Sequence, residues 1–127
     1  MTADDFSVWL ARRLQRSAPD HIVYLDLLPL LEQPWRDVQE RLHRVHQAGS
    51  LPMVASISMP ALVACALGAS PYWGVQAVNW LDDGFPIDVG LAQRMVRLAE
   101  EESIPQPVRH RAFALVRRFQ RGLGIDS

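Results

Sequence analysis

From Val45 to Leu81 the chain carries no Asp, Glu, Lys or Arg, a run of 37 residues in a protein of 127. Soluble domains carry about one charged residue in four, so this stretch is not composed to face water along its length. A core, a partner surface or a membrane span would each account for it. Leu51 to Ala69 has the length and hydropathy a bilayer needs, but three features oppose a span. Pro60 falls in its middle beside Ser56 and Ser58, alanine and glycine supply much of the apolar content, and no basic cluster flanks either end. Pro52, Pro60 and Pro71 divide the window, and Ser58 and Ser70 stand before the last two as helix-start signals. The window therefore reads as at least two short helices at the buried centre of a bundle. The first of them, closed by Gly68 after about Leu67, is expected to be buried on nearly all sides.

The remaining segments read as helices joined by short turns. Thr2 can cap a first helix running to about Ser17, with Phe6, Trp9, Leu10 and Leu14 on one stripe, before Ala18-Pro19-Asp20 breaks it. His21 to Leu31 is ambiguous. Ile22-Val23-Tyr24-Leu25 is β-branched and aromatic enough to be extended, with Asp26 capping a short helix that holds Pro29 in its first turn; one helix kinked at Pro29 is the alternative. Pro34 opens a strongly amphipathic helix that ends near Ala48 with Gly49 as its stop, carrying Trp35, Val38, Leu42 and Val45 on its apolar side. Further helices are expected from about Tyr72 to Leu81, ended by Asp82-Asp83-Gly84, from about Asp88 to Glu102, and from near Pro105 to Gly122. The expected fold is all-α: a single compact helical bundle of five to seven short helices in one domain, residues 1–127.

The last helix opens with Pro105-Gln106-Pro107-Val108-Arg109-His110-Arg111-Ala112, followed by Leu115. This resembles the second-half signature of HEAT-type helical repeats. The resemblance covers roughly the C-terminal half, without a second copy at a fixed period. It implies hairpin packing in which small Ala112 permits close approach while Val108, Leu115 and Phe119 are buried. It implies no chemistry.

Net charge is −1, which argues against duplex DNA or an anionic membrane as the dominant partner. All 13 basic residues are arginine, which reads as codon bias in a GC-rich genome, since a recognition role would need them clustered as well as numerous. Cys65 is the only cysteine, so no intrachain disulfide or Cys-rich zinc site can form; within its apolar run it reads as a small hydrophobe. Asp4 and Asp5 stand where a signal peptide would be basic, and no apolar segment follows, so a cytoplasmic address is expected.

Catalytic patterns are missing. No Gly-rich phosphate loop, Gly-x-Ser-x-Gly elbow or His-Glu-x-x-His is present. Glu40, His43 and His46 share a helix but have no identifiable second set of ligands, so they read as surface residues, and no metal or cofactor is expected. Asp82 and Asp83 read as a helix-stop turn, since adjacent residues point apart. Two surfaces remain as partner-binding candidates. One is the arc of Arg111, Arg117, Arg118 and Arg121 with His110 on the last helix; the other is the acidic turn of Asp82, Asp83 and Asp88. The same two can also simply neutralise each other as solvated faces. Tyr72 and Trp73 either pack in the core or anchor a partner or homodimer face.

By elimination the expected function is a non-enzymatic protein-binding module. The specific form is a small bacterial immunity- or antitoxin-type protein that neutralises a partner protein, such as a toxin. A nucleic-acid-associated regulator using the arginine arc, a homo-oligomeric helical scaffold, and a hydrolase whose site assembles only in three dimensions are the alternatives.

Overall fold

The computed structural model describes residues 3–123, with side chains from Asp5 onward. The expected capping role of Thr2 lies outside the described residues. Among them are six α-helices and two 3-10 helices and no strand, so the fold is all-α. Contacts gather into two compact units, Met1–Leu62 and Val63–Ser127, and each is described by itself.

In the first unit α1 (Ala3–Arg13) buries Phe6 and Leu10, and Leu14 continues the stripe. The helix ends earlier than Ser17 because its last turn tightens: Gln15 N–H bonds to the Arg12 carbonyl and Ser17 N–H to that of Leu14. Ala18 and His21 then exchange two backbone hydrogen bonds across Pro19-Asp20. Of the stretch expected to be extended, Ile22 and Val23 lie outside any helix but Tyr24 and Leu25 do not. A 3-10 helix runs Tyr24–Glu32 with Pro29 inside it, and it buries Leu27, Leu28, Leu30 and Leu31. Side chains three apart eclipse in a 3-10 helix, so these leucines form two adjacent columns. That period of three favours the tighter helix over a strand. Asp26 does not cap it; its carboxylate is held by the Arg16 fork, with Nε to Oδ2 at 2.9 Å and Nη2 to Oδ1 at 2.5 Å. This pairing holds the Asp26 carboxyl below its ordinary range.

The second helix, α2 (Trp35–Ala48), follows Pro34 and stops at Gly49, whose φ of +67° supplies the left-handed residue. Val38 and Val45 are buried, while Trp35 and Leu42 are half-buried beside a second 3-10 helix, Pro52–Ser56. Tyr24 Oη accepts from the Ser58 N–H at 3.0 Å, which ties the entry of α3 (Met59–Ala69) to the first 3-10 helix. Ser58 Oγ accepts from Ala61 N–H as the expected cap.

The uncharged window is not buried throughout. No residue from Ala48 to Ala61 is fully buried. Absence of charge is not presence of bulk: Ser50, Pro52, Ser56, Ser58 and Pro60 lie in this part, and serine and proline are mostly found at the surface. Along α3, Leu62, Val63, Ala66 and Leu67 are buried, while Pro60, Gly68 and Ala69 are exposed. The helix thus has one buried stripe, not burial on nearly all sides. Nor does Gly68 end it. The stop comes at Ser70, which is extended at φ −168° and ψ 165° because Pro71 follows.

In the second unit, α4 (Pro71–Asp82) is capped by Ser70 Oγ, which accepts from Trp73 N–H at 3.3 Å. Its far end is a Schellman turn. Phe85 N–H bonds to the Trp80 carbonyl at 3.0 Å and Gly84 N–H to that of Leu81 at 3.4 Å, with Gly84 at φ +110°. The hydrophobic contact that accompanies this motif is the Trp80–Phe85 ring pair, with centroids 6.0 Å apart. Apart from its chain neighbours nothing lies within 4 Å of a Cβ placed on Gly84, so the cost of a substitution there is backbone strain. Gly84→Ala is expected to lower stability by about 1–2 kcal/mol, read as a shift in urea midpoint with the slope unchanged.

Asp88 Oδ1 accepts from Leu91 N–H at 2.7 Å and caps α5 (Val89–Ala99). This helix ends three residues short of Glu102, because the chain turns at Glu100 to Ser103 to carry Ile104 into the core. Helix α6 (Gln106–Gly122) packs on α5 and α4 through Val108, Ala112, Leu115 and Val116. Gly74 marks a close approach: a Cβ there would meet Leu98 Cδ1 at 2.8 Å. Among the described residues no helix is long and apolar enough to cross a membrane.

Candidate functional site

Helix α6 advances 100° per residue, so its two faces follow from position alone. Val108, Ala112, Leu115 and Val116 turn inward. Opposite them lie His110, Phe113, Ala114, Arg117, Arg118 and Arg121, which together border a shallow depression of about 530 Å³. Phe113 is 42% exposed, a large ring on a face otherwise cationic. Among the described residues Arg117, Arg118 and Arg121 have no ion-pair partner; the arginine–acid pairs are Arg16–Asp26, Arg44–Glu40 and Arg111–Asp82.

Arg111 stands apart from this face. Its guanidinium donates to Asn79 Oδ1 at 3.0 Å and reaches Asp82 Oδ2 at 3.4 Å, so it braces the end of α4 against α6. Asp82 is engaged in the same contact. Asp83 is exposed in the Schellman turn, and Asp88 uses one carboxylate oxygen in its cap. The arginine arc and the acidic turn are therefore joined at Arg111 and Asp82, while Arg117, Arg118 and Arg121 lie outside that pairing. Arg109 is half-buried off the arc, and among the described residues its Nε is a buried nitrogen without a hydrogen-bond partner.

Tyr72 and Trp73 pack edge to face with centroids 4.9 Å apart. Tyr72 is 51% exposed and Trp73 half-buried, so the pair lies at the surface of the second unit, on α4 and not on the α6 face. Cys65 is half-buried, and burial pushes its thiol above the ordinary range, opposed in part by the positive charge of Arg94. That is the reverse of what a nucleophile requires. Glu40 pairs with Arg44 on the same helix, while His43 and His46 line a groove with Trp35, Leu42 and Ile57. Among the described residues no three His, Cys, Asp or Glu side chains come together as a metal site.

Sequence reasoning located the arginines but not Phe113 or Ala114. The signal was available in the helical period, which sets both residues between His110 and Arg117 on the outward face. Comparison with protein-family models, with curated proteins and with solved structures finds no match to this chain.

Proposed function

We propose that the chain is a non-enzymatic protein-binding module that receives an acidic segment of a partner protein on the outward face of α6. The observation that carries this reading is the exposed Phe113 set among Arg117, Arg118 and Arg121, which have no acid of the described residues to neutralise them. An exposed aromatic flanked by guanidinium groups has the composition of an interface anchor, since aromatic residues and arginine are enriched there. A helix with acids beside one apolar side chain would complement it, the acids meeting the arginine forks and the apolar group covering Phe113 and Ala114. Within this class the finer reading is an immunity- or antitoxin-type protein that neutralises its partner. The cytoplasm is its compartment, with which the lone Cys65 is compatible. The packing of α5 on α6, with Ala112 buried on α6, supports a HEAT-like hairpin as the scaffold.

The test is affinity capture from the native cell, comparing the wild type with Arg117→Glu/Arg118→Glu. Both residues are exposed, so circular dichroism should be unchanged. A stoichiometric acidic protein is expected with the wild type, and its capture should fall at least about tenfold on charge reversal. Recovery of RNA or DNA with a steep salt dependence would instead favour a nucleic-acid regulator. Self-association alone would favour a homo-oligomeric scaffold.

A further inference from the structure

A second cavity, away from the α6 face, has both apolar walls and a charged rim. It encloses about 340 Å³ in the second unit. Leu67, Pro71, Leu98 and Ile104 form its apolar side, and Arg94, Arg97 and Glu101 its charged rim. Arg94 and Arg97 are three apart on α5 and so share one side of the helix. Among the described residues neither guanidinium has an ion-pair partner, and Glu101, one turn beyond Arg97, does not pair with it. The first turn of α4 also borders the cavity, and two of its amides are engaged. Pro71 has no N–H, Trp73 N–H bonds to Ser70 Oγ, and Gly74 N–H bonds to the Ser70 carbonyl. The cationic groups that would attract an anion here are the two arginines.

Small-molecule sites are typically apolar clefts of a few hundred Å³ or more, with a small number of placed polar groups. We propose that this cavity binds a small monoanionic carboxylic acid with an apolar body. The carboxylate sits between Arg94 and Arg97, whose forks match its geometry. The hydrocarbon covers Leu67, Pro71, Leu98 and Ile104. Glu101 on the rim repels additional negative charge, so a single carboxylate is favoured over a phosphate dianion. The site shares no residue with the protein-binding face and stands independently of that reading.

The experiment is a titration of the isotope-labelled full chain with sodium octanoate, followed by amide chemical shifts. Inorganic phosphate and octyltrimethylammonium serve as the anion without a tail and the tail without an anion. Saturable shifts are expected at Leu67, Arg94, Leu98 and Ile104. Arg94→Ala/Arg97→Ala should weaken octanoate at least about tenfold, and Glu101→Gln should tighten it. All three side chains are exposed, and the spectra themselves report whether each variant is folded. No shifts at millimolar octanoate, shifts centred elsewhere, or unchanged affinity in the double variant would overturn the site. Equal binding of phosphate or of the ammonium probe would overturn the ligand class, as would a Glu101→Gln variant that binds no tighter.

Discussion

Trp80→Ala is expected to lower the free energy of unfolding by about 3–5 kcal/mol, the largest effect of any single truncation in the second unit. The indole is 2% exposed and is among the largest fully buried side chains in the chain. Its ring lies 6.0 Å from that of Phe85, tilted by 30°. Its backbone carbonyl also accepts the hydrogen bond from Phe85 N–H that closes the turn after α4. Truncation therefore removes bulk at the point where a helix stop and the core share a residue. Domains of this size are typically stable by about 5–15 kcal/mol, so the variant would lose a large share of its margin. Urea denaturation followed by far-ultraviolet circular dichroism measures this. Trp80→Phe retains an aromatic partner for Phe85 and should cost clearly less. A loss below about 1 kcal/mol for the alanine variant would show that the ring is not packed as described.

Phe6→Ala is the corresponding lesion in the first unit, again at about 3–5 kcal/mol. Phe6 is 0% exposed on α1. Trp9 lies alongside it at 6.1 Å with an interplanar angle of 22°, and the Arg41 guanidinium from α2 stands 5.9 Å over its ring. Two contributions can be separated. Arg41→Ala removes the cation and its hydrogen bond to Gln33 Oε1 while leaving the ring, and should cost about 1–2 kcal/mol. Phe6→Leu removes the cation's target but keeps most of the buried volume, and should fall between the two. If Arg41→Ala cost as much as Phe6→Ala, the arginine would be holding α1 and α2 together and the ring burial would be secondary. Hydrogen exchange in α1 provides an independent readout, since protection there should fall with Phe6→Ala.

The features written in short sequence patterns were legible, and those depending on distant partners were not. Ser58 and Ser70 each cap the helix that follows, and Gly49 ends α2, as expected, because a cap is decided within four residues. Gly68 looks like the stop of α3 in the sequence, but the stronger constraint falls on Ser70, the residue before Pro71. The segment from Ile22 onward was ambiguous because β-branched content and a leucine run of period three point to different structures; the four buried leucines decide for the 3-10 helix. The arc on α6 follows from helical geometry. That Arg111 leaves it could not be foreseen, because its partners Asn79 and Asp82 lie 32 and 29 residues away. The cavity beside Arg94 was hidden for the same reason: its walls come from α3, α4, α5 and the turn before α6, and no local pattern gathers them.

The face of α6 draws its charge from guanidinium groups, with His110 beside them, and the whole chain contains no lysine. Guanidinium stays protonated across the range in which proteins remain folded. It also offers no amine for the acetyl groups that neutralise lysine-rich surfaces. Such a surface has no chemical off-switch of that kind. Were an acidic segment to dock here as proposed, control of its occupancy would pass to the partner: phosphate added to that segment would raise its attraction, and a competing acidic segment would mask the face. Under that proposal the face would be permanently ready to bind, and output would be set by how much partner is present.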